Sequence, residues 1–185
     1  MDAATAQDLI DFWTAAGPKA WFRRKPAFDT ALRTRFETAH LAASRGELDG
    51  WSRTGEGALA LVLLLDQVPR NIYRGSAHAF ATDGLARSVA TRAVDAGLDQ
   101  AAPADLRVFF YLPFEHAEDA AAQQRSVALF EAHAARTGDA SYLRYAQTHA
   151  DIIARFGRFP HRNRVLGRAT TAREAAFLAE GGFKG

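Results

Sequence analysis

Three short stretches of this chain gather side chains that could do chemistry. The first, LLDQVPRNIYRG from Leu64 to Gly75, sets Asp66, Gln67, Arg70, Asn71 and Arg74 directly behind an apolar run. A guanidinium presents planar, paired donors, so Arg70 and Arg74 could form a fork for a carboxylate or phosphate. The structural alternative is that the same Arg and Asn side chains satisfy open carbonyls at a helix end. Asp66 and Arg70 stand at i and i+4, but Pro69 disfavours helical geometry at Val68 and is expected to redirect the chain.

The second stretch, FFYLPFEHAEDAAAQQ from Phe109 to Gln124, brings Glu115, His116, Glu118 and Asp119 together at an expected helix start, where Glu115 and Asp119 would share a face. A carboxylate beside an imidazole can do general acid/base work or bind a divalent cation through oxygen and nitrogen. Acids in a first turn are also favoured by the helix dipole alone. With no HExxH pair and no second histidine at ligand spacing, a metal is the lesser option, and no cofactor is predicted.

The third stretch, THADIIARFGRFPHRNRVLGR from Thr148 to Arg168, holds Arg155, Arg158, Arg162, Arg164 and Arg168 with no acid after Asp151. Phe156 and Phe159 lie among these arginines, a composition that can bind nucleic acid through phosphate contacts and stacking. The charge would equally complement Asp66, Glu115, Glu118 and Asp119 if the three stretches converge. His149, one turn before Ile153, reads as a core or boundary histidine. Other chemistries lack their motifs: no serine has a GxSxG-like setting, and GxGxxG and Walker loops are absent. Without cysteine there is no disulfide, thiolate nucleophile or sulfur-ligated zinc.

The elements that must position these residues are helical throughout, because apolar residues recur at three- and four-residue steps and no segment alternates long enough for a strand. Thr5 with Asp8 forms a capping box for a first helix that stops before Gly17-Pro18. Phe28, Leu32, Phe36, Ala39 and Ala43 stripe a second, ended by Gly46. A third, central helix runs from Glu56 to Val68, where Pro69 stops it. A fourth, from Asp83 to Ala96, turns Leu85, Val89 and Ala93 inward. Leu106, Phe109 and Phe110 follow Pro103, and Pro113 interrupts them. Helices over Glu115 to Ala135 and Tyr142 to Phe156 come next, and Thr171 with Glu174 caps a last one ending at Gly181-Gly182. About eight helices in one domain over 1–185, joined by short connections, predict antiparallel hairpins.

The chain has 185 residues, 48% of them hydrophobic, and a formal net charge of +2. That length and composition fit one globular core, and the charge argues against a general polyanion binder. The longest apolar stretch, Ala58 to Leu65, is too short to span a membrane, and MDAATAQDLIDFW is not a secretory signal, so a cytoplasmic protein is expected.

Several strings together resemble a bacterial family of unknown function with a tetratricopeptide-like helical fold. They are DFW at Asp11 to Trp13, LLDQ and PRNIYRG between Leu64 and Gly75, AFATD at Ala79 to Asp83, LPFEH with Glu118-Asp119, RFGRFPHRN at Arg155 to Asn163, and LGR at Leu166 to Arg168. Val68 and Ala117 depart from the family's usual aromatic and serine. The resemblance implies an α-α superhelix of stacked hairpins and a cytoplasmic bacterial protein, and brings no reaction or ligand.

The residues favour an anionic small molecule, or a protein or peptide partner, held by Asp66, Arg70, Asn71, Arg74, Arg158, His161, Arg162 and Asn163. The alternative is a hydrolase acting on an anionic substrate, with Glu115, His116 and Asp119 as acid/base groups or metal ligands. A third reading is RNA binding through 155–168.

Overall fold

The structure, a computed structural model, describes residues 4–183. Among them the regular elements are helical and no strand occurs. The chain divides into two compact units. One holds the chain up to Arg74 and His78–Pro113; the other holds Gly75–Ala77 and the chain from Phe114 onward.

In the first unit, α1 (Ala6–Ala16) starts in the expected capping box, Thr5 receiving Asp8 N–H and the Asp8 carboxylate receiving Thr5 N–H. Gly17 ends it at φ 70°, and α2 (Pro18–Trp21) follows as one turn. The Trp21 indole donates to the Trp13 carbonyl at 2.6 Å. Both rings meet Phe109 edge-on, at 5.5 and 5.1 Å between centroids. Such pairs add to the burial of large apolar surfaces. Helix α3 (Pro26–Ser44) buries Leu32, Phe36, His40 and Ala43.

Helix α4 (Gly55–Val62) is the central helix, buried at every position from Gly57 onward. Its entry is so tight that a Cβ on Gly57 would lie 2.1 Å from the Trp51 carbonyl oxygen. Pro69 does not end this helix. The chain widens into a π turn over Leu63–Gln67, in which Val68 N–H reaches the Leu63 carbonyl, and continues as α5 (Val68–Ile72). The wider turn accommodates the proline ring, which a regular α-helical register would push against a carbonyl one turn back. Proline has no N–H to give, and two carbonyls behind it find side-chain donors instead. His40 Nδ1 donates to Leu64 O at 2.7 Å, and the Thr82 hydroxyl donates to Leu65 O.

Helix α6 (Asp83–Asp95) buries Ala86, Val89, Ala90 and Ala93, but Leu85 faces solvent at 45% exposure, contrary to the expected inward stripe. Helix α7 (Ala104–Glu115) carries Pro113 inside it and runs two residues past it. The expected helix from Glu115 to Ala135 therefore begins later, as α8 (Ala120–Thr137), and Glu115 closes the preceding helix.

In the second unit α8 packs against α9 (Ser141–Phe156) across the turn at Gly138. Phe130 is fully buried, and Ile152, Ile153 and Phe159 form an apolar cluster flanked by Phe156, Phe177 and Phe183. Gly157 ends α9 in the left-handed conformation, and α10 (Ala172–Ala179) starts in the second capping box, formed by Thr171 and Glu174.

Candidate functional site

The first unit keeps its polar stretch occupied. Asp66 is fully buried, receives the Gln67 amide at 2.6 Å and lies 3.1 Å from Arg70 Nη1. Arg70 then bonds both oxygens of Asp83, at 2.8 and 2.9 Å. Burial alone would pull the Arg70 guanidinium down, but the charges of Asp66 and Asp83 outweigh it and hold the group above its ordinary value. Asn71 donates to the Gln67 carbonyl at 2.9 Å and accepts from Arg74, which bonds Asp29 at 3.0 Å. The paired donors expected to fork an external anion at Arg70 thus hold Asp83. Asp83 sits thirteen residues downstream, and no local pattern signals it.

The second unit repeats this arrangement. Arg158 bonds both oxygens of Glu174, at 2.6 and 2.9 Å, and the Ala169 carbonyl at 2.8 Å. Arg168 bonds both oxygens of Glu118, at 2.6 and 2.9 Å. Pro69-Arg70-Asn71 with Arg74-Gly75 and Pro160-His161-Arg162-Asn163 with Gly167-Arg168 echo one another in sequence, and the echo has a physical counterpart. Asn71 accepts from Arg74 and Asn163 accepts from Arg168 at 3.0 Å, and each of these arginines also grips a carboxylate. Glu118 joins the second and third stretches directly, since it also receives Phe159 N–H at 2.8 Å. Burial raises the Glu118 carboxyl, yet the hydrogen bonds from Arg168 and Phe159 more than offset it and leave it below its ordinary value. With Arg158 and Arg168 so engaged, the positive charge that 155–168 can offer to phosphates is reduced.

Of the expected catalytic residues, Asp119 is displaced from the others. It is the N-cap of α8, exposed, accepting Ala122 N–H at 2.8 Å, and it shares no helix face with Glu115 because the chain is non-helical between them. Glu115 is buried at the end of α7, where the Gln123 amide clasps the carbonyls of Glu115 and Ala117, both at 2.7 Å. Its carboxylate Oε1 lies 3.3 Å from His149 Nδ1, and both side chains are buried. His149 Nδ1 also meets the Tyr145 carbonyl at 2.9 Å. Both neighbours of Nδ1 are acceptors, so this nitrogen carries the hydrogen, and in the neutral ring the lone pair is on Nε2. Reading His149 as a core histidine from its helical spacing missed this pairing, because Glu115 is far away in sequence.

Around the pair stand His116, 6.4 Å from His149 between ring centroids, and Phe159, 5.3 Å from it. Phe159 is also 5.7 Å from His161 and carries the Arg162 guanidinium over its face at 4.5 Å. Burial, then the charges of Arg162 and Arg168 against that of Glu118, push His161 down to about 4, so its ring is neutral at ordinary pH. Among the described residues no group of three or more His, Asp or Glu is arranged to hold a metal ion, and no helix is long and apolar enough to cross a membrane.

The family description "Bacterial protein of unknown function (DUF924)" matches residues 9–182. The chain belongs to this family. It is also similar to a solved protein of unknown function from Agrobacterium tumefaciens, at 55% identity and a TM-score of 0.90, over 95% of this chain and 97% of that one. No curated protein matches it. In this DUF924 protein, the strings that carry the resemblance include the ends of both arginine–carboxylate networks: Arg70 and Asp83 in one, Glu118 and Arg168 in the other.

Proposed function

We propose that this DUF924 protein is a hydrolase acting on an anionic substrate, with Glu115 and His149 as its acid/base pair. The observation that carries the reading is the 3.3 Å approach of Glu115 Oε1 to His149 Nδ1 between two buried side chains. A carboxylate in that place fixes the tautomer and steadies the imidazolium that forms when Nε2 accepts a proton. In the reaction His149 Nε2 takes a proton from water, the oxygen attacks an ester carbon or phosphorus, and the proton passes to the departing oxygen. Arg162, on the face of the Phe159 ring adjacent to His149, supplies positive charge for the anionic group. His116 borders the same pair. This reading is preferred to an anion fork of Arg70 and Arg74, or an anion site at Arg158, because those guanidinium groups already hold carboxylates.

The test is hydrolysis of p-nitrophenyl phosphate and p-nitrophenyl acetate by the purified protein. Turnover should fall about 10²- to 10⁴-fold in His149→Gln and in Glu115→Gln, with cooperative thermal unfolding retained. Hydrolysis that survives both substitutions would remove the reading.

A further inference from the structure

The Phe183 ring sits against both histidines of this site. It lies 4.6 Å from His149 and 5.4 Å from His161 between centroids, edge to face with each. Two glycines bring it there. After α10, Gly181 turns the chain at φ 86°, and Gly182 N–H bonds back to the Phe177 carbonyl at 2.9 Å, the long bond of a Schellman ending. A Cβ on Gly182 would lie 2.4 Å from that same carbonyl oxygen, so only glycine passes this close. An apolar ring is thereby laid over two imidazoles, one of which keeps a polar atom without a partner. His161 Nδ1 is buried and has no hydrogen-bond partner. An unmet buried nitrogen is a standing cost, and a polar group of a ligand would remove it.

We propose that Phe183 closes the histidine site and occupies the seat of a flat aromatic group carried by an anionic ligand, of the aryl phosphate class. The ligand's ring takes the place of the Phe183 ring among His149, His161 and Phe159. Its anionic end lies toward the positive charge of Arg162, which is over the Phe159 face. Phe183 and the ligand then compete for one position, and apparent affinity is lowered by the fraction of molecules in which the ring is seated. The proposal rests on reading the Glu115–His149 pair as a functional site, but it concerns binding and needs no turnover.

The test is calorimetric titration of wild type, Phe183→Ala and Gly181→Ala with phenyl phosphate, and with inorganic phosphate as the control. Phe183→Ala should bind phenyl phosphate at least about tenfold more tightly than wild type. Inorganic phosphate should bind all three alike. Gly181→Ala keeps the ring but disfavours the left-handed turn that seats it, so a gain there separates displacement of the ring from the filling of a vacancy. Bound phenyl phosphate should also move the His149 and His161 ring resonances. Equal or weaker phenyl phosphate binding in a cooperatively folded Phe183→Ala protein, or no binding by any of the three, overturns the proposal. If Phe183→Ala fails to fold, an unchanged affinity in Gly181→Ala has the same force. Tighter binding without hydrolysis would preserve this inference while removing the catalytic one.

Discussion

Arg70 holds Asp83 through two parallel hydrogen bonds of 2.8 and 2.9 Å, while its Nη1 lies 3.1 Å from the fully buried Asp66. One guanidinium thus serves two carboxylates and fastens the π turn of the central helix to the start of α6. Removing it takes the Arg70 charge away from Asp66 in the interior. Arg70→Ala should cost about 3 kcal/mol in urea unfolding, the low end for breaking a buried pair because the Arg70 and Asp83 side chains reach solvent in part. Arg70→Lys should recover only part of the loss, since an ammonium cannot make the parallel pair of bonds.

The π turn makes a second demand. Pro69 cannot donate a hydrogen bond, and the Thr82 hydroxyl meets the Leu65 carbonyl in the core. Thr82→Val keeps the shape and removes the donor, so it should lower stability by about 1–3 kcal/mol. A neutral result in chemical denaturation would mean that this carbonyl is satisfied some other way.

His161 should impose an acid sensitivity of its own. Its folded value is about 4 against an ordinary 6.5. As pH falls below 6.5 the unfolded chain takes up this proton and the folded protein does not, so stability declines through the window from 6.5 to about 4. In His161→Phe the melting temperature should vary less over that interval than in wild type. Identical pH profiles for the two proteins would contradict the burial of this ring.

Glu174 acts lower on the scale. The hydrogen bonds from Arg158, with those from Thr171 and Asn163, hold it at about 2 against an ordinary 4.5. Its contribution is present in full above about 4.5 and is lost as pH falls toward 2, because the unfolded carboxylate protonates first. Glu174→Gln should therefore be less stable than wild type at neutral pH, and the gap should narrow as pH is lowered through that range. A gap that stays constant would show that the carboxylate's charge has no part in it.

What the sequence determined by itself is the local grammar. The two capping boxes at Thr5 and Thr171, the ends at Gly17 and Gly46, and the apolar stripe of α3 are set by interactions within one or two turns, so spacing alone reports them. The polar stretches were equally visible, since charged residues beside apolar helices are conspicuous wherever they fold. Tertiary structure decided what those residues do. Pro69 reads as a helix stop until His40 from α3 and Thr82 from the turn before α6 arrive to take the carbonyls it leaves open. Arg70 and Arg158 read as cations open to an external anion until Asp83 and Glu174 occupy them. Glu115 and His149, both in the second unit but thirty-four residues apart in sequence, become a pair only when that unit folds. Each of these outcomes turns on a partner distant in sequence, and a side chain's chemistry is set by the partner it meets.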